Sequence, residues 1–269
     1  MSIADEALAG LLAIAGREPA SFASIETGPN ALPTRFYAEE AAAAAFAATG
    51  VLAADLWRLR GGAAQSVSVS TREASDGLVS FMRQSFDDPS RAPPLRPDDD
   101  ARGTPAMGFF PTRDGRHVYL HASFPPSARK LHALMGSPED RDTLTRHTLG
   151  RDAMEIEEAI ARAGVCGALA RTPEEWDTSE QGRILASRPV VEVIKIADGD
   201  PRPLPADGHA PLSGLRVLDL SENISGQFCG RMMADFGASL TLIEPPSGSV
   251  LRNMPPFDPV ADGVGSLLF

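Results

Sequence analysis

Residues 214–244, GLRVLDLSENISGQFCGRMMADFGASLTLIE, read as one strand–loop–helix–strand unit and decide the fold. Residues 215–220 (LRVLDL) are a short apolar run of the kind that fills a strand buried on both faces. Residues 226–236 place Phe228, Met232, Met233 and Phe236 at spacings that suit one helical face, and Gly237 stands where a helix stop belongs. Residues 239–243 (SLTLI) form a second apolar run, ended by Glu244-Pro245-Pro246. Parallel strands need a crossover helix, so the expected class is α/β, with a Rossmann-like open parallel sheet that is only partly present. Ligands of such sheets sit at the strand carboxyl ends, here residues 221–226 and Glu244 onward. No G-x-G-x-x-G is present; the loop offers only Gly226 and Gly230, so a dinucleotide clamp of the usual kind has little support.

Outward from this unit, the chain alternates helical and extended segments. The acidic N-terminus reads as a short amphipathic helix, and residues 21–33 carry turn chemistry. Residues 36–60 read as an alanine-rich packing helix stopped by Gly61-Gly62, residues 65–71 (QSVSVST) as an alternating strand, and residues 72–84 as a helix. Residues 87–103 form a proline- and charge-rich linker. Residues 108–122 predict a hairpin around Arg113-Asp114-Gly115, followed by helices over 125–136, 152–164 and 173–187 and a strand over 189–196 (PVVEVIKI). A second linker spans 197–211. Three segments follow: a helix-and-strand segment (1–86), a smaller α+β domain (104–197) and the start of the open sheet (211–269).

Bulk composition narrows the function classes. With 269 residues and 43% hydrophobic side chains, one or two folded domains with a sizeable core are expected. A formal net charge of −11 argues against a nucleic-acid partner, whose phosphates it would repel. Cys166 and Cys229 give no disulfide framework and suit a reducing cytosol. No apolar run approaches ~20 residues and the N-terminus lacks a basic region before an apolar one, so neither a membrane partner nor a secretory signal is expected. The expected compartment is the cytoplasm.

At residues 211–257, PLSGLRVLDLSENISGQFCGRMMADFGASLTLIEPPSGSVLRNMPPF, the chain resembles the opening of family III CoA-transferases, the formyl-CoA transferase and carnitine dehydratase group. Those chains begin PL-x-G-[IL]-x-V-L-D-[LF], pass through a helix ending LADxGA, and continue V-x-K-[VI]-E-P-P. The trio Glu222-Asn223-Ile224 departs from the more basic or amide-bearing residues of many relatives. LAADLWRLRGG followed by QSVSVSTREA is similar to the helix and strand in the middle of such an enzyme, and AGVCGALARTPEEW to the end of its small domain. The chain thus looks like the rear of one transferase unit, roughly 31–200, followed by the front of another, 211–269. Since two strands cannot bury both faces of a sheet, the expectation is a truncated or incomplete unit, or one whose sheet a partner chain completes.

The resemblance implies transfer of CoA between an acyl-CoA thioester and a carboxylic acid, with CoA as substrate, no permanently bound cofactor and a homodimeric assembly. It also implies a carboxylate nucleophile at a helix start, where backbone amides stabilise developing negative charge. Counting back from LAADLWR, that position is Glu40, with Glu39 beside it; glutamate stands where the family has aspartate. Acidic residues in a first helical turn also stabilise the macrodipole without reacting, so both roles stay open. For CoA, the resemblance points to Glu222, Asn223, Ile224 and Ser225, and to Arg252 as a basic position facing phosphate or simply solvent. Asp219 reads as a structural hydrogen-bonding residue and Cys166 as a small core residue in a turn. His117 and His121 are i, i+4 on a strand, about 13 Å apart, too far to share one metal ion, and His132 and His147 have no matched partners, so no metal is expected. Three rivals are a catalytically silent or incomplete relative acting in binding or assembly, an acyl-CoA racemase, which would need a His–Asp pair absent near Glu40, and an NAD(P)-dependent oxidoreductase with Glu244 as the ribose acid.

Overall fold

A reciprocal capping box opens the first helix: the Asp5 amide donates to Ser2 Oγ (3.2 Å) and the Ser2 amide to Asp5 Oδ2 (2.9 Å). The computed structural model of the chain describes residues 2–19, 21–80, 106–122, 125–136, 140–201, 203, 208–253, 257–258 and 264–265. Residues 87–103 and the end of the helix expected over 72–84 lie outside them. The chain divides into two compact units, Met1–Pro93 with Val190–Phe269, and Pro94–Pro189.

In the first unit, α1 (Ile3–Ile14) leads to β1 (Ala23–Glu26), α2 (Ala38–Leu59), β2 (Val67–Ser70) and α3 (Thr71–Leu78). Strands β1 and β2 pair in parallel, Ala23 opposite Val67 and Glu26 opposite Ser70, with α2 as the crossover. The alanines let helices approach closely: Leu8 and Leu12 of α1 pack on Ala44, Ala47, Ala48 and Val51, while Ala42 and Ala43 meet Ala74 of α3. By length and apolar composition α2 would suffice to cross a bilayer, contrary to the expectation that no segment would; Ala42, Ala43, Ala44, Ala47 and Ala48, however, lie in these two cores.

The second unit contains β3 (Gly108–Pro111), β4 (His117–His121), α4 (Pro125–Met135), α5 (Arg141–Leu149), α6 (Ala153–Ala163), β5 (Cys166–Leu169), α7 (Pro173–Thr178) and α8 (Glu180–Ala186). The sheet is antiparallel, in the order β3-β4-β5, and the hairpin turns at Gly115, whose φ of 73° needs glycine. Its core joins Phe110, Val118, Leu120, Leu131, Met135, Leu144, Ile156 and Ile160. The predicted single helix over 173–187 is two, broken at Ser179, whose extended backbone and side chain cap the second. Cys166, expected in a core turn, is exposed at the start of β5.

Back in the first unit, β6 (Arg216–Asp219), α9 (Ile224–Asp235) and β7 (Ser239–Leu242) form the parallel strand–helix–strand unit read from the sequence, Arg216 opposite Ser239 and Asp219 opposite Leu242. Gly237, at φ 98°, stops α9. A 3-10 turn (Val250–Asn253) and a short antiparallel pair, β8 (Phe257–Asp258) with β9 (Val264–Gly265), follow. The strand expected over 189–196 does not form: these residues pair with no strand among the described residues, the chain bends at Val190 and Val191, and Val190 and Ile196 are more than nine-tenths exposed. β-branched composition favours a pleated surface only where a neighbouring strand supplies it.

Candidate functional site

Two helix N-termini in the first unit carry the predicted site residues other than Arg252, which lies in the 3-10 turn after β7. At the carboxyl end of β6, Asp219 is buried and its Oδ1 accepts the Ser221 amide at 2.8 Å, turning the chain out of the strand. Asn223 then caps α9 from an extended conformation, accepting the Ile224 amide at 2.9 Å. The first bond of the helical ladder joins the Gln227 amide to the Asn223 carbonyl, so the amides of Ser225 and Gly226 precede it, as anion-binding helix starts require. Glu222, Asn223, Ile224 and Ser225 are all exposed around this start. The charge of Glu222 opposes an anion there.

A polar chain ties this loop to the end of β7. Gln227 Nε2 donates to Ser249 Oγ (3.2 Å) and to the Ser221 carbonyl (3.4 Å), and the Ser249 amide donates to Glu244 Oε2 (2.7 Å). Arg252 grips both oxygens of Glu244 through Nε and Nη2. The guanidinium first, then the Ser249 amide, holds the Glu244 carboxyl down to about 2; the pairing raises Arg252. Arg252 is therefore committed to Glu244, and Glu244 is not a vacant acceptor for a ribose. Gln227 Oε1 and Ser221 Oγ are buried without a partner among the described residues, an arrangement that invites donors from outside the loop. Sequence reasoning missed Gln227 and Ser249; Gln227, one turn into the helix from its cap, was the available signal.

The second N-terminus belongs to α2. Its cap residue, Tyr37, makes no side-chain capping bond, and the ladder begins with the Ala41 amide on the Tyr37 carbonyl (3.0 Å). Glu40 is half-buried in this first turn, with Oε2 buried and without a partner among the described residues. Glu39 is almost fully buried, and its Oε1 accepts the amides of Ala31 (2.7 Å) and Leu32 (2.6 Å). Arg35, Phe36 and Tyr37 are exposed just before the helix, with the Arg35 guanidinium 5.6 Å from the Phe36 ring centre.

Helices α2 and α9 meet through Phe46 and Phe228, whose rings stand edge to face with centres 6.3 Å apart. Both aromatics line a pocket of about 290 Å³ with Gly77, Met232 and Phe236. No hydrogen bond among the described residues joins Glu40 to residues 222–225 or to Arg252. His117 and His121 lie on the same face of β4. No group of three or more His, Cys, Asp or Glu side chains with metal-binding geometry occurs among the described residues.

The first unit thus presents an acidic residue in a helix start without a side-chain cap, and a parallel strand–helix–strand unit whose first helical amides are open. The sequence model of CoA-transferase family III matches residues 3–201 and 212–269, and the chain belongs to that family. Among curated relatives, it is 29% identical over 170 residues to an acyl-CoA transferase of Gibberella moniliformis, covering 57% of this chain and 29% of the relative. It is 44% identical over 52 residues to a succinyl-CoA:mesaconate CoA-transferase of Haloarcula hispanica, covering 19% of this chain and 13% of the relative. Among solved structures, Rv3272 of Mycobacterium tuberculosis is similar with a TM-score of 0.45 and 19% identity, covering 69% of this chain and 51% of that one. The chain thus spans well under two thirds of the length of the relatives it matches.

Proposed function

We propose that this chain takes part in moving CoA from an acyl-CoA thioester to a carboxylic acid, with Glu40 as the carboxylate that carries the group. The observation behind this reading is the position of Glu40: a half-buried carboxyl in the first turn of a family III chain's long helix, one oxygen unpaired and no side chain capping the amides around it. The Glu40 carboxylate attacks the thioester carbonyl and expels CoA thiolate, leaving a mixed anhydride. The thiolate attacks the Glu40 carbonyl of that anhydride, giving an enzyme–CoA thioester and releasing the donor acid. The acceptor carboxylate repeats the exchange, taking the CoA and restoring Glu40. Orphan amides at a helix start favour the negative charge that builds on the carbonyl oxygen.

CoA is substrate in this reading, and residues 222–225 at the start of α9 cover its nucleotide within a Rossmann-like sheet. Arg252 contributes through the Glu244–Ser249–Gln227 chain that shapes this loop, with its charge already neutralised. A homodimer in the cytoplasm completes the proposal, supported by family resemblance and composition. A second reading, a silent relative acting in binding or assembly, is favoured by that neutralised arginine and by glutamate in place of aspartate. The engagement of Glu244 counts against the oxidoreductase reading.

Intact-mass spectrometry after incubation with several acyl-CoAs, with and without hydroxylamine, tests the reading. An adduct on the native chain that disappears in Glu40→Gln is expected. CoA binding without an adduct would replace transfer with the silent reading.

A further inference from the structure

We propose that the pocket bounded by α2, α3 and α9 binds a free amino acid with an apolar side chain of about the size of phenylalanine. The side chain enters between Phe46, Phe228, Met232 and Phe236, the carboxylate meets Arg231 and the ammonium meets Asp235. This site is separate from the reading of Glu40 and needs nothing from it. From the sequence, Phe228, Met232 and Phe236 share one face of α9, the face that a packed helix buries. In the structure that face does not close: none of the three is fully buried, and Phe228 is 37% exposed. Across the pocket stand the Phe46 ring, edge to face with Phe228, and Gly77 of α3. A Cβ on Gly77 would press on Phe46 Cζ at 3.1 Å, so glycine keeps that wall thin.

Size and lining fix the apolar half of the ligand. The volume, about 290 Å³, lies at the lower end of the roughly 300–1,000 Å³ range of small-molecule pockets and exceeds the roughly 150 Å³ apolar cavity that holds benzene. One ring and the few atoms that carry its charges therefore fit. Three phenylalanine rings and a pliable thioether suit an aromatic or branched side chain. The rim fixes the polar half. Arg231 and Asp235 precede Met232 and Phe236 along α9, and both line the pocket. Their guanidinium and carboxylate stand 3.9 Å apart, each more than half exposed, so their own ion pair contributes little. The rim thus offers one cation and one anion a helical turn apart beside an apolar pocket. A monocarboxylate would pair with Arg231 and be repelled by Asp235; an amine would meet the reverse. A zwitterion satisfies both, and the several N–H donors of a guanidinium accommodate a ligand carboxylate beside its present contacts. Once the ligand's side chain displaces water from the pocket, both charged contacts strengthen.

The test titrates the full chain, carrying isotope-labelled methionine methyls, with L-phenylalanine, 3-phenylpropionate, phenethylamine and glycine. L-Phenylalanine is expected to bind saturably and to move the Met232 methyl signal, assigned with Met232→Leu. It should bind about tenfold or more tightly than the two singly charged analogues, and glycine should not saturate. Asp235→Asn should abolish the preference over 3-phenylpropionate, and Arg231→Gln the preference over phenethylamine, each with about a tenfold loss of phenylalanine affinity. Both side chains are exposed, so the ligand-free variants should keep the native thermal midpoint. The ranking of ligands on the native chain decides the ligand class without either variant. 3-Phenylpropionate or phenethylamine binding as tightly as phenylalanine would overturn the zwitterion. A saturable response that spares the Met232 methyl would overturn the site, as would the absence of saturation by phenylalanine up to about 10 mM.

Discussion

Gly230 lets α9 lie close enough to β6 for the site loop to form. A Cβ at this position would stand 2.3 Å from Asp219 Oδ2 and 3.3 Å from Leu240 Cδ1. Asp219 cannot simply swing aside, because its other oxygen turns the chain at Ser221. Gly230→Ala gains roughly 0.5–1 kcal/mol of helix propensity and loses about 1–3 kcal/mol to overpacking. We expect a net loss of stability, seen as a lower thermal midpoint, and, on the proposed placement of CoA at the start of α9, weaker CoA binding because that start moves with the helix. A higher midpoint would mean that Asp219 yields without cost. At this scale the sequence was readable where a residue's neighbours in space are also its neighbours in sequence, as at Asp219, read as a structural hydrogen-bonding residue and found turning the chain at Ser221. It was not readable at Glu39, whose two bonds run to amides brought near only when the loop closes, nor at Arg252, whose apparent freedom ended at a carboxylate eight residues away.

The segment after β7 behaves as one element, held by Glu244 between the Ser249 amide and Arg252, and it sets a pH dependence. In the folded chain the Glu244 carboxyl sits at about 2, against 4.5 for the ordinary group. A carboxyl whose folded value is depressed adds stability that is fully present above the unfolded value and fades as pH falls toward the folded one. The urea midpoint of the native chain should therefore exceed that of Glu244→Gln at pH 6 to 7. The gap should narrow steadily below pH 4.5 and close near pH 2. A gap constant across that window would show that the bridge contributes through shape and not charge. Apart from α5, which the sequence reading left unassigned, and the break at Ser179, the helices and the β6–α9–β7 unit were legible because their periodicity and stop residues are local signals. Strand β1 was not, since its four residues, ASIE, sit inside turn chemistry, and β5, CGAL, lacks the branched residues that mark a strand. The opposite error arose at 189–196, where composition promised a strand and no described neighbour pairs with it.

For the whole molecule, the decisive contrast is between one unit whose core is contiguous in sequence and another assembled from two distant segments. Every buried side chain of the second unit's core lies between Ala106 and Leu169. Its principal bridges also stay within it: Arg113 to Asp152 (2.9 Å), Arg116 to Glu175 (2.6 Å), and the two-pronged Glu157–Arg171 pair, in which Glu157 also accepts the Leu169 amide. The parallel strands of the first unit lack this closure. Leu218, Leu220 and Ile243 remain at least half exposed, although parallel sheets are ordinarily covered on both faces. Contact between sequence neighbours also folds faster and with a smaller loop-closure cost than pairing across a long excursion. A chain of residues 94–189 alone should consequently fold, giving a single cooperative urea transition with a slope of about 1 kcal/mol/M, as expected for a domain of that size. Its Phe110 and Ile156 methyl and ring signals should match those in the full chain. A fragment that binds a hydrophobic dye and melts without a transition would place part of its stability in the other unit, and the three-strand sheet would then owe its order to contacts outside its own core.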